Sequence, residues 1–255
     1  MTLHKNKYPI LEFDTDKKSI LMPDPDNPNK LPAKCVITFS DYADMYAEQV
    51  NANVHSEFVT CTKTFKIYLS QHSGYDICFC EVPLGASASV QIVDHLFLSG
   101  VSKIIASGSC GTLIDIPENE MLVPVKALRD EGVSYHYLKP ARFINLNKRA
   151  VQAIEQALIN ANLNFEECVT WTTDGFFRET KQMIEYRKSE GCQVVEMECA
   201  AIAACAEFRN CIFGQILFSG DSLANAEKHD QRNWGASSIE KAFKLSLDAV
   251  IQIRE

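Results

Sequence analysis

The chain has 255 residues, 46% of them hydrophobic and 23% charged, a balance that suits one globular domain and excludes a disordered chain. Its formal charge of -8 argues against a nucleic-acid-binding face, which needs a basic stripe, and leaves any anionic substrate dependent on local donors. No apolar run approaches bilayer-spanning length, and the N-terminal MTLHKNKYPILEFDTDKK lacks a signal-peptide core, so a cytoplasmic protein with no membrane partner is expected. The ten cysteines show no CxxC spacing and no Cys/His cluster, so they read as reduced thiols used as small hydrophobes, with no metal site.

Residues 1–33 are polar and rich in proline (Pro23, Pro25, Pro28, Pro32) and read as an arm that drapes over the domain or over a partner. Regular patterning begins at Lys34 and gives a domain over 34–255. Cys35–Phe39 is a buried strand and residues 41–50 a short helix with Asp41 at its start. Three strands are expected at Phe58–Lys63, Phe65–Ser70 and Tyr75–Val82. A helix over Ser87–Leu98, with Gly100 at its C-cap, leads to a strand over Ser102–Ser107. Glu120–Leu128 is a further strand, and Asn147 N-caps a helix carrying Val151, Ile154 and Leu158. Then follow a strand at Cys168–Thr173, a polar helix over 179–190 stopped by Gly191, a strand at Gln193–Val195, an Ala-rich helix over Cys199–Phe208, a strand at Phe213–Ser219 and a C-terminal helix from about Ala236 to Ile253. Strands alternating with helices predict an α/β fold: a single-domain three-layer sandwich with a mixed, largely parallel central sheet flanked by helices, antiparallel in the 58–82 portion.

Ligands of such sheets bind where strands end. SKIIASGSCGTL (102–113) runs a buried strand into two glycines flanking Ser109. That pattern fits either an ordinary glycine turn or an anion nest of N–H groups around Gly108, with the Ser109 hydroxyl added. In QVVEMECAA (193–201) one Glu is explained by the helix dipole. Two of them around Met197, against a tightly packed Ala helix, point to a site for hydroxyl groups. In ILFSGDS (216–222) Asp221 follows a strand and a glycine; it is either a turn cap or a carboxyl whose pKa burial raises for general-acid work. In WTTDGFFRE (171–179) the paired aromatics are core or a platform for a planar base.

VVEMECAA (194–201) resembles the VEMEAAA-type signature of the purine and uridine nucleoside phosphorylases. IIASGSCGTL, FSGD (218–221) and CVITFSD (35–41) resemble that family's glycine segment, Ser-Asp pair and phosphate loop, in the same order over about 35–254. The resemblance implies reversible phosphorolysis of a nucleoside, purine favoured and uridine possible, to free base and ribose-1-phosphate. It needs no cofactor beyond inorganic phosphate as co-substrate, and it implies a homo-oligomer (dimer, trimer or hexamer). On that resemblance Glu198 bonds the ribose 2′-hydroxyl, Glu196 and Met197 line the ribose, Asp221 protonates the leaving base and Phe176 stacks on it. Ser109, Gly108 and the Ser40 loop hold phosphate, Arg178 supplies a guanidinium to phosphate or to a pyrimidine carbonyl, and His55 reaches a neighbouring subunit. Two arginines expected against phosphate are absent: Ala106 stands at one place, and the 40–44 loop reads Ser-Asp-Tyr-Ala-Asp. A nucleosidase using water, with Asp41 or Asp44 as base, and a non-catalytic nucleoside-binding protein are therefore the alternatives.

Overall fold

The computed structural model describes residues 2–23, 30–225 and 227–254; Pro25 and Pro28 lie outside the described residues. The chain begins with a short antiparallel pair, β1 (Leu3–His4) and β2 (Phe13–Asp14). The body follows as β3 (Lys34–Thr38), α1 (Tyr42–Gln49), β4 (Asn53–Val59), β5 (Thr64–His72), β6 (Tyr75–Glu81), α2 (Ala86–Leu98), β7 (Lys103–Thr112), β8 (Met121–Asp130) and α3 (Ser134–Tyr137). It continues with β9 (Phe143–Asn145), α4 (Lys148–Asn160), β10 (Phe165–Thr173), α5 (Lys181–Ser189), β11 (Val194–Glu196), α6 (Cys199–Arg209), β12 (Ile212–Ser222) and α7 (Ile239–Gln252).

One mixed sheet has the strand order β11-β10-β8-β12-β7-β3-β6-β5-β4, with β9 hydrogen-bonded to β8. Its middle pairings, β12–β7, β7–β3 and β3–β6, are parallel, as are β8–β10 and β10–β11. The antiparallel pairings lie in the β4–β5–β6 meander and where β8 meets β12 and β9. β11 also returns to β7, antiparallel, through Val194↔Thr112 and Val195↔Gly111, so one end of the sheet curls into a ring of β7, β12, β8, β10 and β11.

The central strands are buried on both faces, which is why their sequences run apolar without alternation. α4 and α7 pack on each other and on β12 and β7, and α2 and α6 form the other helical layer. The expected stripe Val151, Ile154 and Leu158 is the buried face of α4, and Asn147 caps that helix by accepting from the Arg149 N–H at 3.0 Å. Gly214 lets the helix close on β12: a Cβ there would stand 2.7 Å from that of Ala150. Nine of the ten cysteines are buried or half-buried and all are free thiols, the role of small hydrophobes expected of them.

The described part of the N-terminal segment lies on its own chain. The Arg209 guanidinium, paired with Asp94 at 2.6 Å, donates to the Lys17 carbonyl at 2.7 Å. Ile10 reaches Gly132, and Leu31 is buried with its N–H on the Ser99 carbonyl.

Several boundaries differ from the sequence reading, and those of β4, β7 and β12 have a clear cause or consequence. The strand expected at Phe58–Lys63 runs instead from Asn53 to Val59, because the Thr60 hydroxyl accepts from the Lys63 N–H and donates to its carbonyl, closing a turn. Asn53–Glu57 is too polar to read as a strand, yet it forms the outer strand, where polarity costs little. β7 and β12 both run past their expected ends, through Gly108–Thr112 and through Asp221, and this changes the site.

Candidate active site

Glu196 and Glu198 belong to the junction where β11 becomes α6. Both carboxylates are buried, and their surroundings differ. Glu196 Oε1 accepts from the hydroxyls of Thr170 (3.1 Å) and Thr172 (2.6 Å), and Oε2 accepts from the N–H groups of Glu198 (2.8 Å) and Cys199 (2.7 Å). Thr172 Oγ1 in turn accepts from the Ala200 N–H at 3.0 Å. These bonds satisfy the first free donors of α6, so the carboxylate of Glu196 does the work that an N-cap side chain does elsewhere. The expectation that Glu196 lines a ribose is corrected: its four lone-pair directions are occupied by its own chain. Thr170 and Thr172 face it because β10 pairs with β11 in register, Thr170↔Val194 and Thr172↔Glu196.

The Glu198 side chain accepts from the Gly85 N–H at 2.5 Å, with the Met197 backbone also drawing on it. Gly85 has φ +91, a conformation that favours glycine, and stands at the start of α2. Burial first, then the neighbouring Glu196 charge, pushes the Glu198 carboxyl up to about 8, against the pull of the Gly85 N–H. Burial also pushes Glu196 upward, opposed by its four donors. Of the two, Glu198 has fewer donors and is the better place for a proton. Met197, between them, is half-buried.

Asp221 lies on the other side of β7. β11 flanks the end of β7 through Val195↔Gly111, and β12 flanks it through Ser222↔Thr112. Gly111 sits between the two: a Cβ there would be 3.1 Å from Val195 and 3.2 Å from Asp221 Oδ1. Asp221 Oδ2 is 2.7 Å from Nε2 of His229, in the irregular segment after β12. Glu179, just before α5, is within electrostatic reach of both, and burial, then Asp221, raises its carboxyl to about 7.

The anion nest expected around Gly108 is not formed. Gly108, Ser109 and Cys110 are paired in sheet with Leu217, Phe218 and Ser219 of β12, and Gly111 with Val195 of β11. The glycines serve close packing, since a Cβ on Gly108 would meet the Phe39 ring at 2.8 Å. What the segment offers is the exposed Ser109 side chain. Ser40 lies on the neighbouring strand end, two residues beyond the pair Thr38↔Ser107, with its hydroxyl 3.2 Å from that of Thr38. Ala106 is buried opposite Gln215, whose side-chain amide has no hydrogen-bond partner among the described residues. Asp44 accepts from the Tyr68 hydroxyl at 2.8 Å, and Asp41 is exposed. Cys110 is buried with its thiol pushed well up by burial and by the charges of Cys168, Glu196 and Asp221, which leaves it unreactive.

Phe176, Phe177 and Arg178 form one turn on the rim. Phe176 is 46% and Phe177 93% exposed, so neither is core, and the two rings meet edge to face at 5.0 Å. The Arg178 guanidinium is exposed with no ion-pair or hydrogen-bond partner among the described residues. His55 is not brought to this group. It is the extra residue of a bulge in β4, the outermost strand, between Val54↔Tyr68 and Ser56↔Ile67. Sequence reasoning missed Thr170, Thr172, Gly85, Glu179 and His229. The threonines had a signal in the alternation of Cys168–Thr173; His229 had none.

The Phosphorylase superfamily pattern matches residues 35–252. Guanosine phosphorylase of Halorubrum lacusprofundi is 24% identical over 208 residues, covering 76% of this chain and 84% of its own. The crystal structure of AMP nucleosidase from Bacteroides thetaiotaomicron superposes with a TM-score of 0.71 at 20% identity, covering 88% of this chain and 90% of that one. That of purine nucleoside phosphorylase from Toxoplasma gondii gives 0.75 at 16% identity, covering 92% and 97%. The matched span covers most of the chain: this chain belongs to the phosphorylase superfamily.

Proposed function

We propose that this chain is a nucleoside phosphorylase acting on purine nucleosides, with inorganic phosphate as nucleophile. The observation that carries the reading is the disposition of two acids: Asp221 on β12 and Glu198 just past the end of β11, with the exposed Ser109 on β7, the strand that both flank. In this reading Glu198, held by the Gly85 N–H, takes a ribose hydroxyl, with Met197 beside the sugar. As the C–N bond breaks the sugar becomes cationic, and an acidic group bound at the 2′-hydroxyl holds it more tightly in the transition state than in the ground state. Asp221 gives a proton to the departing base. A purine, with a basic imidazole nitrogen, uses that proton; a pyrimidine has no equivalent site. Phe176 stacks on the base, and Arg178, Ser109 and Ser40 supply donors to phosphate. The guanosine phosphorylase relative supports the purine preference.

A second reading has a specific observation behind it. Ala106 and the 40–44 loop provide no guanidinium, and neutral hydroxyls replace charge-assisted bonds poorly. Water is then the nucleophile, with Asp41 as the free carboxylate near the first loop, as the AMP nucleosidase likeness allows. Initial rates on guanosine and uridine, with and without phosphate, decide. Guanosine cleavage that requires phosphate and yields ribose-1-phosphate is expected. Undiminished cleavage without phosphate overturns phosphorolysis in favour of the hydrolase, and binding without turnover makes the chain a nucleoside-binding protein.

A further inference from the structure

Asp221 is not isolated. Its side chain is 12% exposed, and Oδ2 meets Nε2 of His229, whose side chain is 45% exposed, at 2.7 Å. The imidazole therefore has one edge on a buried carboxyl and the other towards water. Trp234 packs at 5.9 Å between ring centroids, tilted, and steadies the ring. Glu179 faces the same pair from the start of α5, and an exposed Lys181–Glu227 ion pair joins the two segments that carry Glu179 and His229. The remaining ionisable groups nearby are the Cys110 thiol on β7, held neutral by burial, and Asp230 and Arg232 beyond His229, where Arg232 donates to the Ile116 carbonyl at 2.8 Å.

We infer that His229 acts through Asp221 as a proton relay, linking solvent to the acid that protonates the departing base. The inference rests on the reading of Asp221 as that acid. The glycosidic C–N bond breaks and its electron pair passes to the base. A ring nitrogen of the base takes the proton of Asp221; the carboxylate so formed takes the Nε2 proton of His229 as Nδ1 takes a hydronium proton at the exposed edge, so the imidazole stays neutral and changes tautomer. Each step is a proton transfer between named atoms, and no other reactant enters. His229 is a positioning residue for Asp221 and does not itself touch the substrate.

His229→Gln keeps a hydrogen-bonding amide beside Asp221 and removes the titrating ring. With guanosine and phosphate its kcat is expected to fall on the order of 10- to 100-fold. N7-methylguanosine carries a base that leaves without protonation, and its kcat is expected to fall less than about threefold. His229→Ala provides a second variant, and the same contrast between guanosine and N7-methylguanosine is expected of it. Equal losses on both nucleosides, or a guanosine rate that neither variant changes, overturn the relay while leaving the phosphorylase reading intact. A wild-type protein inert towards both nucleosides, with and without phosphate, sinks the parent reading and the relay with it.

Discussion

The two ends of the candidate site are built by opposite means. At the β11–α6 junction every group is fixed from several directions. Glu196 takes four bonds, Thr172 both donates and accepts, and Glu198 is held from Gly85. At the other end Phe176, Phe177 and Arg178 stand on an exposed turn, and His229 lies in an irregular segment. Ribose is common to purine and pyrimidine ribonucleosides and rewards a rigid site, whereas bases differ and loops adapt to them. The contrast teaches that within EME the two acids are not equivalent: one builds the junction, and the other is left with capacity to spare.

The largest effect expected from breaking that contrast is at Glu198. Glu198→Gln should lower kcat/KM for guanosine on the order of 1000-fold, because an amide, unlike the carboxyl, cannot ionise as the sugar becomes cationic. A loss under about tenfold would remove Glu198 from the chemistry. The same variant should be the more stable protein in alkali. The Glu198 carboxyl is raised from 4.5 to about 8 on folding. Below pH 4.5 it is protonated in both states. Between 4.5 and 8 the unfolded chain releases its proton while the folded one keeps it, so the group costs stability as pH rises through that window. Urea midpoints of wild type and E198Q should therefore diverge from pH 5 to pH 8, reaching about 1–3 kcal/mol in favour of the variant. Parallel midpoints across that range would mean that Glu198 titrates normally.

Next in size is the rigid end itself. Thr172→Val keeps the shape of the side chain and removes a donor to Glu196 and an acceptor for the Ala200 N–H. The cost in stability is expected at about 1–3 kcal/mol, because a buried carboxylate and a helix N-terminus both lose a partner. Activity should fall as well, with kcat more affected than KM, since Glu198 is displaced through the junction. A variant with wild-type stability would show that Glu196 is held by its remaining three donors alone.

Much of this was legible from residue order, for reasons that particular segments make plain. The buried strands at Cys35, Ile104 and Phe213 announce themselves by continuous apolar runs, and Asn147, Gly100 and Gly191 mark helix ends by their chemistry. EMEC declared two acids against a packed helix. What residue order did not carry was pairing across distance. Gly108 to Gly111 looked like a loop because glycines favour turns. Their real reason is the Phe39 ring, Val195 and Asp221 pressing on the strand, and that appears only once β11 has folded back onto β7. Asp221 likewise looked past the end of its strand and alone, because nothing in KHDQRNWG marks His229 as its partner.

The smallest effects belong to the exposed turn and sharpen the comparison from its other side. Phe176→Ala should leave the urea midpoint within about 0.5 kcal/mol of wild type, since a ring 46% exposed contributes little to the core. If the ring stacks on the base, KM for guanosine rises roughly tenfold, at the lower end of what one aromatic–base contact is worth. Phe177→Ala, at a ring 93% exposed, should move neither quantity beyond about twofold, unless its edge-on contact at 5.0 Å is what aims Phe176. The pair thus tests whether the base end is a platform of one ring or two. A KM raised equally by either substitution means two. A KM unmoved by both means that the base is held by other groups and that the turn belongs to the rim.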